Sequence, residues 1–115
     1  MSLPPSRPPD RGGVIYEVTL DVEAGLRAEY EPWLHDHVRQ MLALPGFTGA
    51  EIGIPLEPPA EPGRCRYCVA YRLVDQAALQ AYLRDHAAAM RADGLARFGE
   101  RFRASRRVLE VVARY

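Results

Sequence analysis

His35, Asp36 and His37 stand together in "EPWLHDHVRQML", residues 31–42, where a metal site, a catalytic pair or plain packing would each use such a triplet. The apolar spacing around them is helical, and residues two apart on a helix differ by roughly 200° around the axis. His35 and His37 therefore point nearly opposite ways and cannot grip one ion, as a His-x-x-x-His spacing would allow. His35 and Asp36 fall on the solvent side. His37 falls on the apolar stripe, four residues after Trp33 and four before Met41. His86 holds the matching place in a second helical segment, four after Tyr82 and four before Met90.

Laid on one sheet, these stripes would carry both imidazoles into a single layer beside Trp33, Tyr67, Tyr71 and Tyr82. His37 and His86 are thus the candidate catalytic residues, as proton acceptors, and the four aromatics the candidate ligand-binding residues. A flat pocket of this composition suits an aromatic small molecule. Each histidine also reads as an ordinary core or rim residue with its nitrogens satisfied by tyrosine hydroxyls or water. Two histidines are too few for a zinc site, so no metal is expected. One axial histidine would suffice for haem, but the residues themselves call for no cofactor.

Cys65 and Cys68 form a C-R-Y-C spacing. A thioredoxin-type pair needs its thiols at a helix N-terminus, and zinc needs two further ligands nearby. "RCRYCVAYRLV" alternates like a strand instead, which sends positions three apart to opposite faces, so both cysteines read as structural. Ser105 lies in "RASRR" with no histidine near it in sequence, and the chain holds no Gly-rich phosphate loop or nucleophile elbow.

The elements that must position these residues follow from periodicity. In "VIYEVTLDV" (14–22), Val14, Tyr16, Val18, Leu20 and Val22 face one way and Ile15, Glu17, Thr19 and Asp21 the other, the mark of a strand. Leu26, Tyr30, Trp33, His37, Met41 and Leu44 then recur at helical steps, with a kink or a restart expected near Pro32 and a stop at "LPG" (44–46). "FTGAEIGIP" (47–55) predicts a second strand, its glycines suggesting a bulge or close backbone approach. A loop, "LEPPAEPG" (56–63), leads to a third strand over 64–74 carrying Cys65, Tyr67, Val69, Tyr71 and Leu73 on one face. Asp75 can cap a second helix striped by Leu79, Tyr82, Leu83, His86 and Met90 and ended by "ADG" (92–94). Leu95, Phe98 and Phe102 suggest a short helical appendage, and "RRVLEVVARY" (106–115) a fourth strand. The order β-α-β-β-α-β predicts a single α+β domain over 14–115, a ferredoxin-like sandwich with two main helices on one face of a four-stranded antiparallel sheet.

A length of 115 residues suits one such core. Fifteen arginines, with no lysine, balance fifteen acidic residues, so no net field draws in nucleic acid or an anionic membrane. The first residues, "MSLPPSRPPDRG", carry four prolines and no apolar run. Residues 1–13 are thus expected to be a disordered tail rather than a signal peptide, and the protein cytoplasmic. The sheet face away from the helices is expected to hold Ile15, Glu17, Thr19, Arg66, Cys68, Ala70, Arg72, Val108, Glu110 and Val112. That face is too apolar to stand in water, and a homodimer pairing sheet against sheet would bury it, with Glu17 or Glu110 meeting Arg66 or Arg72.

"VIYEVTLDV", "WLHDHVRQMLALPGFTG", "YLRDHAAAMRADGLARFGERF" and "RRVLEV" together resemble a small bacterial family of unknown function among the dimeric α+β barrels. The resemblance spans residues 14–112, and "LARFGERF" is its most specific block. It implies that His37 and His86 sit where the family carries histidines. A further family histidine is expected where this chain has Gly94, which argues against a three-histidine site here. The wider superfamily includes cofactor-free antibiotic-biosynthesis monooxygenases, haem-degrading enzymes and stress-responsive barrel proteins, with sites between helices and sheet. Three readings follow: a homodimeric binding or interaction module with a small-molecule pocket, a cofactor-free monooxygenase-like enzyme acting on an aromatic compound, and a haem-binding protein. A shared fold alone carries none of these reactions across.

Overall fold

The computed structural model describes residues 13–115. The tail expected over 1–13 lies, up to residue 12, outside the described residues, while the Gly13 carbonyl accepts a hydrogen bond from the Val111 N–H at 2.8 Å. The elements are β1 (Val14–Glu23), α1 (Arg27–Leu42), β2 (Phe47–Gly53), β3 (Arg64–Leu73), α2 (Gln76–Asp85), α3 (Ala87–Phe98) and β4 (Phe102–Glu110), with short 3-10 turns before α1 and β4. The strands form one antiparallel sheet in the order β2-β3-β1-β4.

Alternation decides the sheet's two faces. Val14, Tyr16, Val18, Leu20 and Val22 are all buried, and β3 answers with Tyr67, Val69, Tyr71 and Leu73. The register sets Tyr16 opposite Tyr71, Val18 opposite Val69 and Leu20 opposite Tyr67, so one face is a continuous aromatic and aliphatic floor. A bulge between Phe47 and Gly49 interrupts β2, and the Arg72 guanidinium occupies the space a Cβ on Gly49 would fill. The glycines of β2 therefore mark both a bulge and a close approach, as their placement suggests.

Helix α1 is continuous through Pro32, without the expected restart. Proline removes one backbone donor, but Tyr30, Leu34, Val38 and Met41 are buried against the sheet, and that packing holds the helix together. The buried line lies one step around from the predicted one: Trp33 and His37 flank it, half-buried, rather than forming its centre.

The second helical region breaks at His86, where φ is −129° and ψ −27°, into α2 and α3. Asp75 caps α2 as expected, its carboxylate accepting from the Ala78 N–H at 2.8 Å. "ADG" does not end the helix; α3 runs on through Gly94 to Phe98, and Gly99, at φ +54°, stops it. Phe102 consequently opens β4 instead of closing a helix, and β4 covers 102–110 rather than 106–115.

This earlier start corrects the face assignment of the last strand. Phe102 lies opposite Val22, Ala104 opposite Leu20, Arg106 opposite Val18, Val108 opposite Tyr16 and Glu110 opposite Val14. All five point to the helix side. The far face instead receives Arg107, opposite Glu17, and Leu109, opposite Ile15. Val108 and Glu110 therefore leave the far-face set, and Val112 lies beyond the end of β4.

Gly94 is explained by space rather than by backbone freedom. A Cβ there would come within 2.9 Å of Trp33 Cη2 and 3.3 Å of Cζ2. The indole cannot easily yield, since it packs on Tyr30, His37 and Phe98 and its Nε1–H donates to Asp93 at 2.8 Å. Gly94→Ala is expected to destabilise the protein. Alanine gains about 1 kcal/mol of helix propensity over glycine, but overpacking costs about 1–3 kcal/mol. Urea unfolding and the emission of Trp33, the chain's one tryptophan, would register the change, and an unaltered midpoint and spectrum would refute the contact.

Candidate functional site

Between α1, α3 and the sheet lies a cavity of about 220 Å³. Tyr16, Val18 and Leu20 of β1 and Tyr71 of β3 make its floor, and Trp33 and His37 of α1 enter from one helix. Met90, Arg91, Gly94 and Leu95 of α3 form the other wall, Tyr82 of α2 contributes a ring, and Phe102, Ala104 and Arg106 of β4 border the side. The sequence leaves this room in two places. Ala104 is small where its neighbour across the strand, Leu20, is large, and Gly94 gives up a side chain beneath the indole.

The rings are ordered against one another. Tyr16 stacks with Tyr71 at 6.1 Å between centroids and meets Tyr82 edge-on at 5.8 Å. Trp33 and His37 lie nearly parallel, 4.8 Å apart and 20° inclined. Tyr30, also lining the cavity, is fully buried, and among the described residues its hydroxyl has no hydrogen-bond partner. Arg91 donates from Nη2 to the Tyr16 hydroxyl at 3.0 Å, while its buried Nε has no partner among the described residues.

The protonation states follow from burial. Desolvation lowers the His37 pKa, with Asp93 pulling weakly the other way, so the imidazole is neutral at neutral pH. Burial also pushes the Tyr71 and Tyr82 hydroxyls up. Tyr82 rises to about 12 despite the opposing pull of Arg91 and Arg106, and Tyr71 rises as well. The cavity thus presents aromatic faces, neutral phenols, a neutral imidazole and two guanidiniums, with no carboxylate among the described lining residues.

Of the residues singled out by sequence, Trp33, His37, Tyr71 and Tyr82 come together here. His86 does not line the cavity; it sits at the α2–α3 junction, where its N–H donates to the Tyr82 carbonyl at 2.9 Å and its carbonyl accepts from Met90 at 3.0 Å. The two imidazoles do not share this space. Tyr67 also lies elsewhere: it stacks on Tyr30, donates to Glu31 at 3.1 Å, and borders a separate hollow beneath the β2–β3 loop. Sequence reasoning missed Tyr16, Tyr30, Arg91 and Arg106 as site residues. The signal for Arg106 was the period of two that continues from Phe102 through Ala104.

Other candidate chemistries find no assembly. Cys65 lies opposite Val22 on the helix face and Cys68 opposite Thr19 on the far face, both as free thiols. Among the described residues no group of three His, Cys, Asp or Glu is placed to hold a metal ion.

The lowered His37 pKa has a consequence for stability. The unfolded chain, with an ordinary imidazole near 6.5, binds this proton more readily than the folded one. The contribution is therefore complete above about pH 6.5 and is lost as pH falls below it through the folded-state value. The urea midpoint should drop between pH 7.5 and 5, and His37→Gln should flatten part of that slope; identical slopes in the two proteins would contradict a buried, neutral His37.

Comparison with known proteins places the architecture. SnoaB, a cofactor-independent oxygenase from Streptomyces nogalater, is similar with a TM-score of 0.62 at 14% identity, over 88% of this chain and 95% of that one. A protein of unknown function from Nitrosomonas europaea gives 0.64 at 18% identity, over 90% and 92%. The haem degrader MhuD from Mycobacterium tuberculosis, with two haems bound in its active site, gives 0.62 at 25% identity, over 89% and 98%. No curated protein matches the chain. The fold is the ferredoxin-like α+β fold. Residues 13–112 match the family described as Domain of unknown function (DUF4286), and the chain belongs to it.

Proposed function

We propose that this protein is a cytoplasmic, homodimeric binding module whose cavity between α1, α3 and the sheet holds a small, flat, largely apolar ligand. The supporting observation is the cavity itself, roofed by Trp33 and floored by Tyr16 and Tyr71. Its volume of about 220 Å³ falls below the roughly 300–1,000 Å³ typical of drug-sized sites, which favours one or two fused rings over a macrocycle. Haem, as held by MhuD, is therefore the weaker candidate. A cofactor-free oxygenase reading draws on one further feature: His37 is neutral and lines the cavity, the state a proton acceptor requires.

Calorimetric titration with β-naphthamide, a neutral two-ring probe, tests the cavity reading. Binding is expected with a Kd below about 1 mM, and Ala104→Phe, which fills the cavity, should abolish it. A natively folded wild-type protein that binds no ring compound in this range would overturn the reading. Oxygen consumption on adding an electron-rich phenol, lost in His37→Gln, would favour the oxygenase.

The homodimer reading draws on the far face of the sheet. Ile15, Ala70, Cys68 and Leu109 interleave there with Glu17, Arg66, Arg72 and Arg107. Part of the charge is already paired within the chain, Arg107 with Glu17 at 3.0 Å and Arg72 with Glu51 at 3.7 Å. Such half-exposed pairs contribute about 0–1 kcal/mol each. Two copies packing face to face would shield them and bury the apolar positions between them. The cytoplasmic assignment rests on the free thiols of Cys65 and Cys68, suited to a reducing compartment. Light scattering should return a dimer mass at micromolar concentration, and Arg72→Glu should raise the dissociation constant about tenfold or more; a wild-type monomer would sink the dimer.

A further inference from the structure

We infer that the ligand is a small aromatic acid, its anionic group held by Arg91 and Arg106 while its ring lies among Trp33, Tyr71 and Tyr82. The inference rests on the cavity reading above and adds the ligand's charge. Two guanidiniums reach the same cavity from different elements, Arg91 from α3 and Arg106 from the inward face of β4. Neither has a carboxylate partner among the described residues, although seven other arginines form ion pairs there. The nearby Asp93 is engaged by the Trp33 N–H.

Arg91 is held for this role on one side only. Its Nη2 is fixed on the Tyr16 hydroxyl, and its Nε, shielded from water, lacks an acceptor among the described residues. A buried donor left without a partner is costly, and a planar carboxylate is the acceptor whose geometry matches a guanidinium edge. The charge is concentrated where the walls are otherwise apolar or neutral, so an anion entering there interacts more strongly than it would in water. Arg91 and Arg106 both pull down on the Tyr82 hydroxyl, which puts their fields at the same end of the cavity. A cationic ligand would meet like charge there, and a neutral ring without an acceptor would leave the buried Arg91 Nε unpaired.

The test compares β-naphthoate with β-naphthamide, which share shape and differ in charge, by calorimetry at neutral pH. The naphthoate should bind about tenfold tighter or more. Arg91→Gln and Arg106→Gln should each weaken the naphthoate about tenfold while leaving the naphthamide within about twofold. Arg106 is exposed, so Arg106→Gln decides the matter if Arg91→Gln fails to fold. Equal affinity for the two probes, or an equal loss of both in the variants, would overturn the anion assignment while the cavity reading stands. Failure of both probes to bind the wild-type protein would overturn the two together.

Discussion

The indole of Trp33 joins α1 to α3. Its N–H is fixed by Asp93, its ring lies over Gly94, and its face stacks on His37. Each helix lays its own apolar line on the sheet, but a sheet floor alone does not set how far apart two helices stand. A rigid, two-ring side chain wedged between them does. The wedge also gives the cavity its shape, because the surface that holds α3 at this distance is the surface a ligand would touch. Structure and candidate site therefore depend on the same contact, and a change that loosens Gly94 or Asp93 moves the roof of the cavity with it.

The floor contributes a second constraint. Tyr16 and Tyr71 reach from the sheet into the helix layer and Tyr82 meets them from α2, so their polar ends must be accommodated inside. Tyr16 accepts a hydrogen bond from Arg91; Tyr71 and Tyr82 respond to burial by holding their protons more tightly. A neutral imidazole and undissociated phenols leave the two guanidiniums as the net charge of the site. That imbalance is local, since the chain as a whole is neutral.

Much of this frame was legible in the residues. Strand β1 alternates throughout and β3 from Arg66 onward, and period two with β-branched and tyrosine residues admits little else. The candidate aromatics Trp33, Tyr71 and Tyr82 follow from the same patterns. The face of β4 did not. "RRVLEVV" lacks alternation, so its phase depended on where the strand began, and that depended on whether Gly94 or Gly99 ended the preceding helix. A slip of one residue exchanges every side chain between faces. Here it removed Arg106 from the cavity and placed Val108 and Glu110 on the wrong side. His86 failed for a different reason: helical spacing presumed one helix, and the chain bends at that residue.

The break at His86 and the late end of α3 together explain how this chain differs locally within a widely shared fold. Bending there lets α3 leave the direction of α2, and Arg91 of α3 and Arg106 of β4 line one cavity. A likeness to SnoaB or to MhuD describes the sheet and the layer above it, which any member of the fold possesses. What a given member binds is set by the few polar side chains that reach into that layer. In this chain those include two arginines and an imidazole stacked on the indole, which a glycine lets settle between the helices.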